Sequence, residues 1–278
     1  TELVQQLGSG ATTLELGAVF WRPAGSAAEQ AEAHAALVRS LRKRVDGPIS
    51  RRVNRPISMS ITRLLMNTRI TPNQMTGVAT VFGAAGVILV FQATWLTLVL
   101  GAIGVQLQSI LDGCDGELAR LKLQSSRFGE WLDNVLDDHV NVAYGIALGY
   151  AASRMLGEPL WLWVGIAAGA AFTVHNLIFY AQLIFIHHSG SPFAFKWWFE
   201  SSTQDVTELL ASDSLGAQLG SFGRALARRD VFLFCFLLLA IARLPHIAVI
   251  WYGLVAASQI GLMAIHVAMG GFTKHATR

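Results

Sequence analysis

From residue 71 onward the chain is mostly apolar, and the apolar residues come in runs of helical rather than strand length. Runs near 71–91, 94–120, 129–154, 159–186, 226–245 and 247–269 each approach the roughly 20 residues a helix needs to cross a bilayer core. The pattern predicts an all-α, polytopic membrane protein with six transmembrane helices. Residues 46–70 read differently. Apolar and basic positions alternate there, with Arg51, Arg52 and Arg55 among the cations, and predict a juxtamembrane amphipathic helix on the interface. Residues 1–45 hold no long apolar run and read as a soluble N-terminal segment, with a short helix from about Ala27 to Arg44. Thr71 and Pro72 supply an N-cap and a first-turn proline for the first span.

Composition supports the membrane reading: 53% of the 278 residues are hydrophobic and 14% charged. The two cysteines, Cys114 and Cys235, lie in or beside apolar runs and predict no disulfide framework. No cleavable signal peptide is expected, and a chain opening on Thr reads as processed or partial. Charge matters through its distribution. With the N-terminus cytoplasmic, the inner side receives the basic N-terminal region, Arg120, Lys122, Arg127, Lys196, Arg224, Arg228, Arg229, Lys274 and Arg278. The outer side receives only Arg154 and Arg243, so the positive-inside rule predicts a cytoplasmic N-terminus. Membrane lipids are expected partners; nucleic acid is not.

One stretch breaks the apolar pattern. Asp112, Asp115, Gly116 and Ala119 fall at i, i+3, i+4 and i+7, and so share one helix face. Gly129, Asp133 and Asp137 follow at i, i+4 and i+8 on the next helix. Two facing helices would aim four carboxylates into one small volume, where unneutralised anions repel and are costly to bury. Two divalent cations would cancel that charge. Gly116 and Ala119 leave room for a ligand, and Arg120 suits phosphate oxygens. Solvated acids at helix ends would explain any single one of these residues, but not the full set between apolar runs.

These residues carry a resemblance. They match the CDP-alcohol phosphotransferase signature, D-x2-D-G-x2-A-R-x8-G-x3-D-x3-D, at every fixed position from 112 to 137. The looser resemblance runs from about Asp46 to the C-terminus. It implies transfer of a phosphoalcohol group from a CDP-linked donor to an acceptor hydroxyl, with release of CMP. It also implies two ions, Mg2+ or Mn2+, held by Asp112, Asp115, Asp133 and Asp137, with Asp137 as general base. Gly116, Ala119, Arg120 and Gly129 are then expected at the nucleotide and diphosphate. Asn73 and Thr76, in a T-P-N-x-x-T segment that lies near the nucleotide in the family, join them. The stretch Asp46-Gly-Pro-Ile-Ser-Arg-Arg-Val-Asn-Arg55 resembles the branch that makes di-myo-inositol phosphate compounds. Phe20 to Arg44 resembles the tail of a fused nucleotidyltransferase, although no Gly-rich nucleotide loop is present.

For the acceptor, a polar alcohol such as an inositol phosphate, the resemblance points to Arg229, then Arg127 and Arg224. His139 joins them by following the fourth Asp. The donor is expected to be CDP-diacylglycerol or a soluble CDP-alcohol. The alternative is a catalytically idle member serving as a structural subunit of a membrane complex. A transporter fits less well, since the acids cluster at one membrane face. Family resemblance implies a homodimer; Gly165 and Gly169 are explained at least as well by packing within the chain. His175 and Asn176 are expected in an interhelical hydrogen bond. Residues 71–278 are read as the six-helix catalytic domain. Its cytoplasmic loop, 187–225, carries an aromatic interfacial anchor around Phe193–Phe199.

Overall fold

The computed structural model describes residues 25–41, 46–189, 194, 195, 197 and 226–271; among these there is no β-strand. The chain divides into two compact units, residues 1–42 and 43–278. In the first, helix α1 (Ala27–Ser40) begins at a reciprocal cap. Glu29 N–H donates to Ser26 Oγ (3.3 Å), and Ser26 N–H donates to the Glu29 carboxylate (2.9 Å). The predicted helix is present and stops at Ser40. Of the stretch from Phe20 to Arg44 that resembles the tail of a fused nucleotidyltransferase, residues 20–24 and 42–44 lie outside the described residues.

The second unit opens with a π-helical turn, Ser50–Asn54, that runs into α2 (Arg55–Leu65). The succession continues with α3 (Pro72–Val90), α4 (Trp95–Leu121), α5 (Arg127–Leu156) and α6 (Leu160–Phe185). After the loop come α7 (Arg229–Ile241) and α8 (Pro245–Ala268). Helix α3 starts at the predicted cap: Gln74 N–H donates to Thr71 Oγ1 (3.3 Å), and Thr71 N–H donates to Gln74 Oε1 (3.0 Å). Ser126 caps α5 by accepting from Gly129 N–H at 3.0 Å. The turn before it is tied down by Lys122, whose Nζ donates to the carbonyls of Thr68 (2.9 Å) and Ile70 (2.6 Å). That anchor fixes where α4 hands over to α5.

This is a helical membrane protein. Helices α3, α4, α6 and α8 are long and apolar enough to cross a bilayer. Their outer faces expose large side chains such as Val81, Trp163 and Leu254, which water would not favour. Two expected spans stand apart. Helix α5 is about 45 Å long, but its first half carries Glu130, Asp133, Asp137 and Asp138. Helix α7 has 13 residues, or about 20 Å, against a hydrocarbon core of about 30 Å.

The spans pack through small residues. A Cβ on Gly86 of α3 would lie 2.6 Å from the Gly101 carbonyl of α4, so only glycine permits that approach. A Cβ on Gly165 of α6 would lie 2.9 Å from Gly149 Cα of α5, and one on Gly169 would lie 2.8 Å from Ile146. The small-residue pattern of α6 is therefore used inside the chain. His175 Nδ1 meets Asn176 Oδ1 (3.1 Å) within α6, not across helices as expected, and its Nε2 is buried without a partner because, among the described residues, no polar side chain of a neighbouring helix reaches it. Of the aromatic segment 193–199, only residues 194, 195 and 197 are described. Phe195 is buried, with its ring 4.8 Å from Phe179 and 5.2 Å from His266, so it fills an apolar space.

Helix α2 is more firmly seated than an interfacial helix requires. Asn54, Ser58 and Thr62 recur every fourth residue and form a buried polar stripe against α4. Asn54 accepts from Gln106 (2.9 Å) and donates to Ser109 (3.3 Å). Ser58 (2.8 Å), Thr62 (2.7 Å) and Arg55 (2.7 Å) all donate to the fully buried Glu117. Arg55 also grips Asp46 through Nε (3.0 Å) and Nη2 (2.9 Å). Burial alone would lower the Arg55 pKa; its bonds to Asp46 and Glu117 outweigh that and hold it above the ordinary arginine value. Arg51 and Arg52 remain exposed, as the basic reading of this segment expects.

Candidate active site

The turn after Leu121 reverses the chain, so the last turns of α4 face the first turns of α5. Asp112 from α4 and Asp133 and Asp137 from α5 each place a carboxylate oxygen within 4.8 Å of the others. Asp115, one turn further along α4, is buried beside them and accepts from Thr76 Oγ1 at 2.5 Å. Three of the four predicted carboxylates thus form one compact group, and the fourth is held at its flank by α3.

Arg229, the first residue of α7, is the cation that reaches this group. Its guanidinium donates through Nη1 to Asp137 Oδ2 and through Nη2 to Asp137 Oδ1 (3.0 Å), and it lies 3.6 Å from Asp112. One guanidinium against four carboxylates leaves an anionic excess in a partly buried site. Asp133 Oδ1 is buried with no hydrogen-bond partner. Hard oxygen donors, excess negative charge and an unsatisfied carboxylate oxygen fit a divalent cation.

Two cavities meet at Asp112. The first, about 360 Å3, is lined by Asn73, Thr76, Gly116, Ala119, Arg120 and Gly129 together with the four aspartates. Every residue expected at the nucleotide and diphosphate is therefore brought to one space. A Cβ on Gly116 would meet only Arg120, at 3.4 Å, so protein packing does not demand a glycine there. At Gly129 a Cβ would crowd Asn73 Oδ1 at 2.9 Å. Arg120 Nη2 is buried without a partner, a donor available to a ligand oxygen.

The second cavity, about 290 Å3, lies on the other side of Asp112. Asp46, Ser50, Asn54, Arg55, Arg228, Arg229 and Asp230 line it. Of the residues expected at the acceptor, Arg229 is here. Arg127 and His139 line neither cavity; both are exposed, and the His139 ring meets its own helix at the Val135 carbonyl (2.6 Å). Arg224 lies outside the described residues. Sequence reasoning overlooked Gln108, which donates to Asp137 Oδ1 at 2.9 Å, and Glu117, which holds α2. Both are polar residues inside an apolar run, and that was the available signal.

An all-helical membrane protein with a carboxylate cluster between two polar cavities is the class that fold and site define. The description of the CDP-alcohol phosphatidyltransferase family matches residues 69–257, and the chain belongs to this family of CDP-alcohol phosphotransferases. The bifunctional IPC transferase and DIPP synthase of Thermococcus kodakarensis is 38% identical over 149 residues, 53% of this chain and 33% of that protein. Its namesake from Rubrobacter xylanophilus is 44% identical over 112 residues, 40% of this chain and 25% of that protein. The CDP-diacylglycerol–serine O-phosphatidyltransferase of Helicobacter pylori is 29% identical over 110 residues, 40% of this chain and 45% of that protein. The matched stretches thus span less than half the length of these relatives. The resemblance to the DIPP synthase-like branch holds.

Proposed function

We propose that this protein transfers a phosphoalcohol group from a CDP-linked donor to an acceptor hydroxyl, releasing CMP. The observation that carries this reading is the first cavity, where Asn73, Thr76, Gly116, Ala119, Arg120 and Gly129 surround the aspartate cluster. Two divalent cations, Mg2+ or Mn2+, held by Asp112, Asp115, Asp133 and Asp137, would neutralise diphosphate charge and stabilise the departing CMP. Arg120 offers its free Nη2 to a phosphate oxygen. Gly116 and Ala119 keep the wall low where the nucleotide lies. Thr76 orients Asp115 through its hydrogen bond.

The acceptor approaches from the second cavity. Arg229 holds its anionic group there, and Asp137 takes the proton from the attacking hydroxyl. The acceptor oxygen bonds to the phosphorus remote from cytidine as the diphosphate P–O bond breaks and CMP leaves. Arg228 stands beside Arg229 on that cavity's wall, and the pair of guanidinium groups suits a phosphorylated acceptor such as an inositol phosphate, while Arg55 is held by Asp46 and Glu117. The distribution of Lys and Arg supports a cytoplasmic site, with α5 and α7 completing six spans. Residues 46–70 lie at the interface as a juxtamembrane element, and a homodimer is the assembly we expect from the family.

The test is CMP release by the purified protein with Mg2+ or Mn2+, comparing CDP-diacylglycerol with CDP-inositol over a panel of acceptor alcohols. Release is expected with one donor, to vanish on chelation with EDTA and to return when metal is restored. Release that persists through chelation removes the metal from the mechanism. Silence with both donors, in protein that still binds CDP, favours a structural subunit.

A further inference from the structure

Gln108 is left unused by the reading above. It is fully buried and lies one helical turn before Asp112 on the same face of α4. Its Nε2 donates to Asp137 Oδ1 at 2.9 Å, while its Oε1 has no partner. A buried amide with an unpaired oxygen is destabilising, so packing gives no reason for a polar residue here. A methionine would fill the same space without that penalty.

The opposing helix makes a matching concession. A Cβ on Gly83 of α3 would lie 2.6 Å from the carboxamide carbon of Gln108 and 2.9 Å from Val140. The backbone of α3 comes so close to the amide that any side chain at Gly83 would push the Gln108 carboxamide from its place. Two departures from an apolar core, one on each helix, therefore serve the same contact.

We propose that Gln108 is a positioning residue for Asp137, and that Gly83 is the notch in α3 that lets its carboxamide reach the carboxylate. The inference rests on the reading of Asp137 as base and metal ligand. Asp137 Oδ1 also accepts from Arg229 at 3.0 Å. Arg229, however, opens α7 and lines the second cavity, where an acceptor anion competes for it. Gln108 stands in the interior of α4 and has no competing partner. It is the donor that keeps the carboxylate plane in place when the guanidinium turns to a ligand.

Gln108→Met preserves volume and removes the donor. Its Mn2+ affinity, measured by EPR titration of the purified protein, is expected to fall about tenfold, as for loss of hydrogen bonds to metal-binding carboxylates in general. The kcat for CMP release should fall by about the same factor while KM for the CDP donor stays within about twofold. Gln108→Asn, which keeps the amide but withdraws it by one methylene, is expected to lose Mn2+ affinity while remaining folded. Added to Asp137→Asn, Gln108→Met should cost no further Mn2+ affinity. Unchanged Mn2+ affinity and kcat in Gln108→Met, or a loss confined to thermal stability, overturns the proposal. If Asp137→Asn is inactive while Gln108→Met is normal, only this inference fails. If Asp137→Asn turns over normally, the base assignment fails.

Discussion

Asp137→Asn is expected to lower CMP release by about three orders of magnitude, within the range spanned by loss of a general base. CDP binding should survive. The replacement keeps the shape of the side chain and removes its charge and one of its two acceptor oxygens. In the protein those oxygens accept from Gln108 Nε2 and from both terminal nitrogens of Arg229. An asparagine has one oxygen to offer, and its NH2 group must face donors, so at least one of these contacts is lost. The partly buried Arg229 loses its principal carboxylate partner, although Asp112 remains 3.6 Å away. The first cavity keeps Asn73, Thr76, Gly116, Ala119 and Arg120, none of which touches Asp137 by hydrogen bond. The prediction is therefore a split: kcat collapses while CDP affinity, measured by equilibrium binding to the purified variant, changes by less than about tenfold. Turnover within tenfold of the natural protein would show that the proton goes elsewhere.

That split concerns residues the sequence makes readable, and the reason is geometric. Asp112 and Asp115, and then Asp133 and Asp137, sit at helical spacings, so their convergence needs only two helices and a tight reversal between them. Arg229 lies 92 residues from Asp137, and no local spacing could place it there; only resemblance brought it forward. The basic segment was legible on one face only. Its arginines drew the reading towards lipid headgroups, whereas its polar face, Asn54, Ser58 and Thr62, is what packs against the protein. Four-residue spacing was visible in those three small residues. What was not visible was a buried acid on α4 to receive them. Gln108 and Gly83 explain each other only when α3 and α4 are seen side by side. Helix α7 was overestimated because apolar residues continue past its end at Ile241, while the chain turns at Ala242 and Arg243 and starts again at Pro245.

Glu117→Ala is the change expected to cost most stability, about 3–5 kcal/mol, because it breaks a buried ion pair by removing one partner. Glu117 is wholly inaccessible and accepts from Arg55, Ser58 and Thr62 at 2.7–2.8 Å. Its removal leaves the Thr62 hydroxyl without this acceptor, Ser58 with only the Arg55 carbonyl at 3.4 Å, and the Arg55 guanidinium with Asp46 alone. Glu117→Gln should cost less. It keeps one acceptor oxygen for Arg55 and Ser58, and its NH2 group can donate to the Thr62 hydroxyl once that hydroxyl turns its own proton away, so the loss is mainly of charge opposite Arg55. The order Ala worse than Gln worse than Glu is to be read from unfolding in an SDS titration, followed by loss of helical signal. An alanine variant within about 1 kcal/mol of the natural protein would mean that α2 is held by its apolar contacts, and that the polar stripe contributes little. Function provides an independent reading of the same contact. Asp46, Asn54 and Arg55 form one wall of the second cavity, while the first cavity has no residue from α2. Loosening α2 should therefore raise KM for the acceptor in Glu117→Gln and leave KM for the CDP donor unchanged. A general loss of folding would instead reduce the active fraction without favouring either substrate.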